Sequence, residues 1–191
     1  MNSNIKTILK SAMAVTMLSA AVWAAAPTTE SATAPLALNQ AKANSNYTVV
    51  GQWWSPAAAS TWPAVYLNLA TGAQSLSTSG QVAFFSHVNG SIRANSGYSL
   101  KTVEKDISAV TAADWTNGDA TPVTSLGSGE WYAYDLGTHA NEAIQPLTVL
   151  VGNASGVLYA VKLINFTNVS QQSGASGLQV KADTNIEVKA L

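Results

Sequence analysis

Histidine occurs twice in this chain of 191 residues, as His87 and His139, and cysteine does not occur. All three methionines, Met1, Met13 and Met17, lie near the N-terminus. With thiolate and thioether gone, imidazole, phenol and scattered carboxylates are the groups left for transition-metal ligation, and imidazole is the one whose ordinary pKa suits proton transfer near neutral pH. His139 closes the run Gly129-Glu130-Trp131-Tyr132-Ala133-Tyr134-Asp135-Leu136-Gly137-Thr138-His139, and His87 closes Phe84-Phe85-Ser86-His87 beside Asn89-Gly90. On spacing alone, a loop histidine is a solvated side chain and a strand-end histidine pairs with backbone. Ligation needs a further reason.

Catalytic patterns are missing. Gly127-Ser128-Gly129 does not make the Gly-x-Ser-x-Gly elbow of a serine hydrolase. No His-Glu-x-x-His pair exists to hold a catalytic zinc. No glycine-rich loop precedes a helix to cradle phosphate, so turnover is not expected. Nine basic and ten acidic side chains give a net charge of −1, with no basic run for nucleic acid.

The elements that must position these groups begin after a targeting segment. Lys6 and Lys10 precede an apolar stretch, Ser11 to Val22, too short to span a bilayer as a helix. Residues 1–24 therefore read as a signal peptide cleaved after Ala24, which leaves seven basic side chains against ten acids. No cysteine follows the apolar stretch, so no lipid anchor is expected, and the protein is expected to be secreted or periplasmic. Residues 25–46, rich in Ala, Thr, Ser and Asn, read as a flexible leader. Residues 47–191 are expected to form a single domain.

That domain reads as short strands. Tyr47–Trp54, Ala64–Ala70, Ala73–Thr78, Gln81–Val88, Ser91–Ala94 and Tyr98–Val103 carry apolar or aromatic residues between turn signals. Thr111–Asp114 offers one helical turn, and Thr116–Ser128 reads as a loop. Trp131–Leu136 alternates in strong strand formers up to Gly137. Pro146–Gly152 and Val157–Phe166 read as a hairpin about Asn153-Ala154-Ser155-Gly156. Leu178–Lys181 and Asn185–Lys189 read as closing strands. The expected fold is all-β: an antiparallel β-sandwich or an open, barrel-like sandwich.

Several of these residues carry a resemblance. Trp131-Tyr132-x-Tyr134-Asp135-x-x-Thr138-His139, the proline-led strand and Tyr159-Ala160-Val161-Lys162-Leu163 resemble the C-terminal part of the HmuY family of secreted haem-binding proteins. Val65-Tyr66-Leu67-Asn68-Leu69-Ala70-Thr71-Gly72 resembles its N-terminal hairpin, and Ile92-Arg93-Ala94-Asn95-Ser96-Gly97 resembles the segment after its core strand. The resemblance spans Ala64 to Phe166. The chain departs from the family where Gly80-Gln81 replaces a Trp-Asp pair, and in a shorter middle region, where a ligand-covering loop is expected to be reduced.

What the resemblance implies is a hemophore: an HmuY-type β-domain that captures haem and passes it to an outer-membrane receptor. It places an iron ligand at His139. Haem iron is held by His, Cys, Met or Tyr, so a bis-histidine site would need His87 as its second member. A five-coordinate site, or one completed by Tyr98, Tyr132 or Tyr134, is the alternative. Trp53, Trp54, Trp62, Phe84, Phe85, Trp131, Tyr132 and Tyr134 are candidates to line the macrocycle, although strand aromatics are more often core. Arg93 and Lys162 are candidates for the propionates. A monomer is expected. The competing readings are an adhesion or glycan- or protein-binding β-module without haem, and a structural secreted β-domain.

Overall fold

Val65 and Leu67 are buried while Ala64 and Tyr66 are half-exposed, so alternation in sequence becomes alternation across a sheet in β2 (Ala64–Leu67). The turn that follows closes on itself. Asn68 Oδ1 accepts from the amides of Ala70 (3.0 Å) and Thr71 (3.2 Å), and Gly72 adopts φ 75°. Glycine is required at 72, because a Cβ there would meet the Tyr47 ring at 2.5 Å. The chain returns as β3 (Gln74–Ser75), with Tyr66 opposite Ser75.

The computed structural model describes residues 43–55, 64–85, 91–138, 140–175 and 177–191. The signal peptide, most of the leader, the 56–63 loop, the Asn89-Gly90 turn, His87 and His139 lie outside them. The described residues form an all-β fold of packed antiparallel sheets, without a closed barrel. They all belong to one compact unit, Gln40–Leu191.

One five-stranded sheet has the order β1-β12-β11-β10-β6. Its strands are β1 (Ser45–Val49), β6 (Ser99–Val103), β10 (Thr148–Asn153), β11 (Gly156–Gly174) and β12 (Gly177–Ala190). The other, β3-β2-β4-β5-β7, adds β4 (Val82–Phe85), β5 (Ile92–Ala94) and β7 (Ser125–Leu126). A separate hairpin pairs β8 (Tyr132–Tyr134) with β9 (Asn141–Ala143). Side chains from all three meet in one core, with Val49, Leu67, Phe84, Leu100, Trp131, Val149, Val161 and Ile186 buried together. Each fully buried aliphatic side chain of this kind contributes about 1.5–3 kcal/mol.

The sheets are tied at both edges. Leu100 and Val123 exchange backbone bonds of 2.8 Å, joining β6 to the segment before β7. On the opposite side one side chain makes the link. Gln74 Nε2 donates to Thr48 O (2.7 Å) and its Oε1 accepts from Val50 N–H (3.0 Å), as a neighbouring strand would.

The outer face of β10 is also covered, which is why Thr148 to Gly152 are all buried. A 3₁₀ turn (Ile107–Ala109) and helix α1 (Ala113–Asn117) lie over it, and Ile107 and Val110 pack on Leu150 and Ala160. Lysines pin this cover down. Lys101 Nζ donates to Trp115 O (2.7 Å) and Gly118 O (3.0 Å), Lys189 Nζ donates to Val110 O (2.7 Å), and Lys162 pairs with Asp106.

Some elements differ from the sequence expectation. The two closing strands are one continuous β12, and β11 runs to Gly174 rather than ending near Phe166. β10 accompanies β11 only as far as Val161. β1 flanks β12 as far as Val49 opposite Thr184. β11 and β12 therefore form a two-stranded arm only beyond Phe166 and Thr184, touched there by the Trp54–Val180 bridge. One register shift, between Leu163 and Asn165, comes before the arm, and another, between Thr167 and Ser170, lies within it. Strand β7 falls inside the expected loop, and the helix sits at Ala113–Asn117.

Candidate ligand-binding cleft

The Trp131-to-Thr138 motif folds into a hairpin whose parts have separate jobs. Trp131 is 1% exposed and packs on Phe84, with ring centroids 6.2 Å apart. Tyr132 is also 1% exposed, and its ring meets Phe166 edge-on at 5.8 Å. Burial pushes the Tyr132 phenol above its ordinary pKa, partly opposed by a hydrogen bond with Ser128. Tyr134 is half-buried against the core. The aromatics of the motif therefore anchor the hairpin.

Its polar residues build the turn. Asp135 Oδ1 accepts from the amides of Gly137 (2.8 Å) and Thr138 (2.6 Å) and from Thr138 Oγ1 (2.9 Å). Asp135 N–H donates to Ala140 O at 2.9 Å, which ties the end of β8 to the start of β9. Asp135 and Thr138 thus fix the bend between β8 and β9.

Next to this turn lies a cleft of about 350 Å³, lined by Thr138, Ala140, Asn141, Phe166, Val169, Lys181 and Ala182. That is at the small end of ligand-pocket sizes. One wall is the β8–β9 turn and the other is the base of the β11–β12 arm. Phe166, Val169 and Ala182 supply its apolar surface, and Tyr132 backs it through the Phe166 contact. Lys181 supplies the charge, with its ammonium 5.0 Å from the centroid of the Trp53 ring.

A close backbone approach brings Trp53 there. A Cβ on Gly51 would stand 2.1 Å from Ala182 O, so only glycine lets residues 51–55 lie against β12. Gly51 N–H donates to Asp183 Oδ1 (2.7 Å), and Trp54 exchanges backbone bonds with Val180 (2.9 and 2.8 Å). Trp53 is 38% exposed and Trp54 is half-buried, which distributes the pair to opposite sides as adjacent strand residues require.

The site residues expected from sequence are thus dispersed. His139 and His87 lie outside the described residues, though both chain neighbours of His139, Thr138 and Ala140, line the cleft. Trp131 and Tyr132 are core. Arg93 is on β5, its guanidinium 4.5 Å over the Phe85 ring, and is not among the residues lining the cleft. Lys162 is engaged by Asp106, and Tyr98 packs against the core. Phe166, Val169 and Lys181 were not singled out for the site by sequence. The available signal for Lys181 was a cation in a chain with only nine basic side chains.

No group of three or more His, Cys, Asp or Glu side chains able to hold a bare metal ion occurs among the described residues. No family model matches the chain, and no curated protein or solved structure does either.

Proposed function

We propose that this chain is a secreted haem-binding protein that holds haem in the cleft between the β8–β9 turn and the base of the β11–β12 arm, for delivery to an outer-membrane receptor. The observation that carries the reading is the position of the cleft against the turn whose sequence holds His139, bounded by Thr138 and Ala140. Phe166, Val169 and Ala182 fit the apolar macrocycle, and Lys181 fits its carboxylates. Bound haem would bring its own iron, which the His139 imidazole would hold, with His87 as the other histidine of the chain able to ligate it. The rest of the chain's work is to exclude water and hold the ring. Nothing in this arrangement calls for turnover, so the protein is proposed to act by capture.

The test is an absorbance titration of the mature protein with haemin, run beside His139→Ala and His87→Ala. A saturable Soret shift that is lost in His139→Ala supports the proposal, and His87→Ala reports on the second ligand. No shift in the wild type overturns it.

One observation favours a second reading, a non-enzymatic protein-binding module. Val169 (67% exposed) and Leu178 (54%) stand on the arm beyond the reach of β10. Capture of a protein partner that is lost on Leu178→Ser, together with a silent haemin titration, would favour it.

A further inference from the structure

We infer that Lys181 is the specificity-determining residue of this cleft, selecting ligands that carry a carboxylate on an apolar body. The inference rests on the proposal that the cleft is the ligand site, and it names the chemistry the site selects.

Lys181 is the one charged group among the described lining residues; Thr138, Ala140, Asn141, Phe166, Val169 and Ala182 carry no charge. It is also without a carboxylate partner among them. The two lysine–carboxylate pairs found there use Lys105 with Asp114 and Lys162 with Asp106. Asp183, two residues along the same strand, is occupied by the Gly51 amide at 2.7 Å and by Asn168 Nδ2 at 2.6 Å. Trp53 holds the ammonium at 5.0 Å from its ring centroid, which positions a cation without neutralising it. The result is a held positive charge at the rim of an apolar surface.

A carboxylate arriving there gains a charge-assisted hydrogen bond, strengthened where Phe166, Val169 and Ala182 displace water. An ester or amide of the same shape would gain the apolar contacts alone. Porphyrins with free propionates and long-chain fatty acids share this chemistry and differ in shape, so the ligand source is separable by experiment.

The experiment titrates wild type, Lys181→Ala and Lys181→Arg with haemin, with haemin dimethyl ester, and with a fluorescent polyene fatty acid. Wild type is expected to bind haemin about tenfold more tightly than the diester, the worth of one charge-assisted contact. Lys181→Ala should lose that preference while binding the diester as wild type does, which also shows that it is folded. Lys181→Arg should keep the preference. Equal binding of haemin and diester by wild type, or a preference that survives Lys181→Ala, overturns the inference while leaving haem binding intact. Fatty-acid binding that depends on Lys181, with no haemin binding, upholds the inference and overturns the haem proposal. No binding of any of the three ligands overturns both.

Discussion

Asp135 and Thr138 are joined twice: one carboxylate oxygen takes both the Thr138 amide, at 2.6 Å, and its hydroxyl, at 2.9 Å. This contact shapes the turn that borders the cleft, and it gives the Asp-x-x-Thr spacing a structural cause. Removing the carboxylate by Asp135→Ala should cost about 1 kcal/mol of stability, because the side chain is exposed and water can replace it. Haemin affinity should fall by more than that stability loss implies, since the loop loses its fixed path. Paired denaturation and titration curves check this. Affinity equal to wild type would show that the turn does not shape the site.

Tyr132 should be a buttress and not an iron ligand. Tyr132→Phe keeps the edge-on contact with Phe166 and removes the hydrogen bond with Ser128. It should cost about 1 kcal/mol and leave the haemin spectrum unchanged. A changed Soret position or charge-transfer band would overturn that assignment. The raised phenol pKa also has a sign. The folded state keeps the proton longer than the unfolded chain, so this stabilisation is complete below pH 10 and is lost as pH rises towards the folded value. Alkaline unfolding should therefore begin at higher pH in Tyr132→Phe than in the wild type, once both are compared at equal starting stability.

Acid should loosen the cover over β10 first. The Lys162 ammonium, helped by the Ser108 amide and hydroxyl, holds the Asp106 carboxyl down at about 2, below its ordinary value of 3.8. A depressed carboxylate contributes stability above its unfolded pKa and loses it as pH falls through the folded one, so the window is pH 4 to 2. Hydrogen-exchange protection at Ile107 to Val110, measured relative to the intrinsic exchange rate at each pH, should fall in that window and do so less in Asp106→Asn, which starts without the pair. High salt should blunt the difference, as the pair is exposed. Protection factors unchanged over that window would count against it.

Gly51→Ala should be costly although position 51 has an ordinary backbone conformation. The new methyl would have to displace the Ala182 carbonyl, so residues 51–55 must lift from β12. Loss of about 2 kcal/mol is expected, in the range for overpacking. Trp53 should move away from Lys181 at the same time, read as a red-shifted tryptophan emission. A stability within 0.5 kcal/mol of wild type, on the order of a neutral surface change, would mean that the segment repacks freely.

The sandwich was legible because β2, β4 and β10 are rich in β-branched and aromatic residues between clear turns, so local preference and burial agree. The arm was not. From Asn168 to Gln172 the sequence offers Asn-Val-Ser-Gln-Gln, with no apolar period, and its strand is imposed by pairing with β12 across the hairpin. β9 is hidden for a similar reason: Asn-Glu-Ala is a poor strand former, held by the bond from Asp135 N–H to Ala140 O. The motif around Trp131 was visible, but its aromatics serve packing. The cleft depends on Lys181 meeting Trp53 from a segment over a hundred positions earlier. No local pattern announces such a pairing.

Gln74 has a consequence for how this protein ages. Its amide acts as a substitute strand, giving a hydrogen to Thr48 O and taking one from Val50 N–H. Deamidation would turn the donor nitrogen into a second oxygen, facing a carbonyl with nothing to share. One side of a stored sample's sandwich would then lose its latch, and the outer rim of β1 would lie open to the rim of another molecule. Slow, time-dependent aggregation would follow from a change of one mass unit, and Gln74→Glu would show it from the first day.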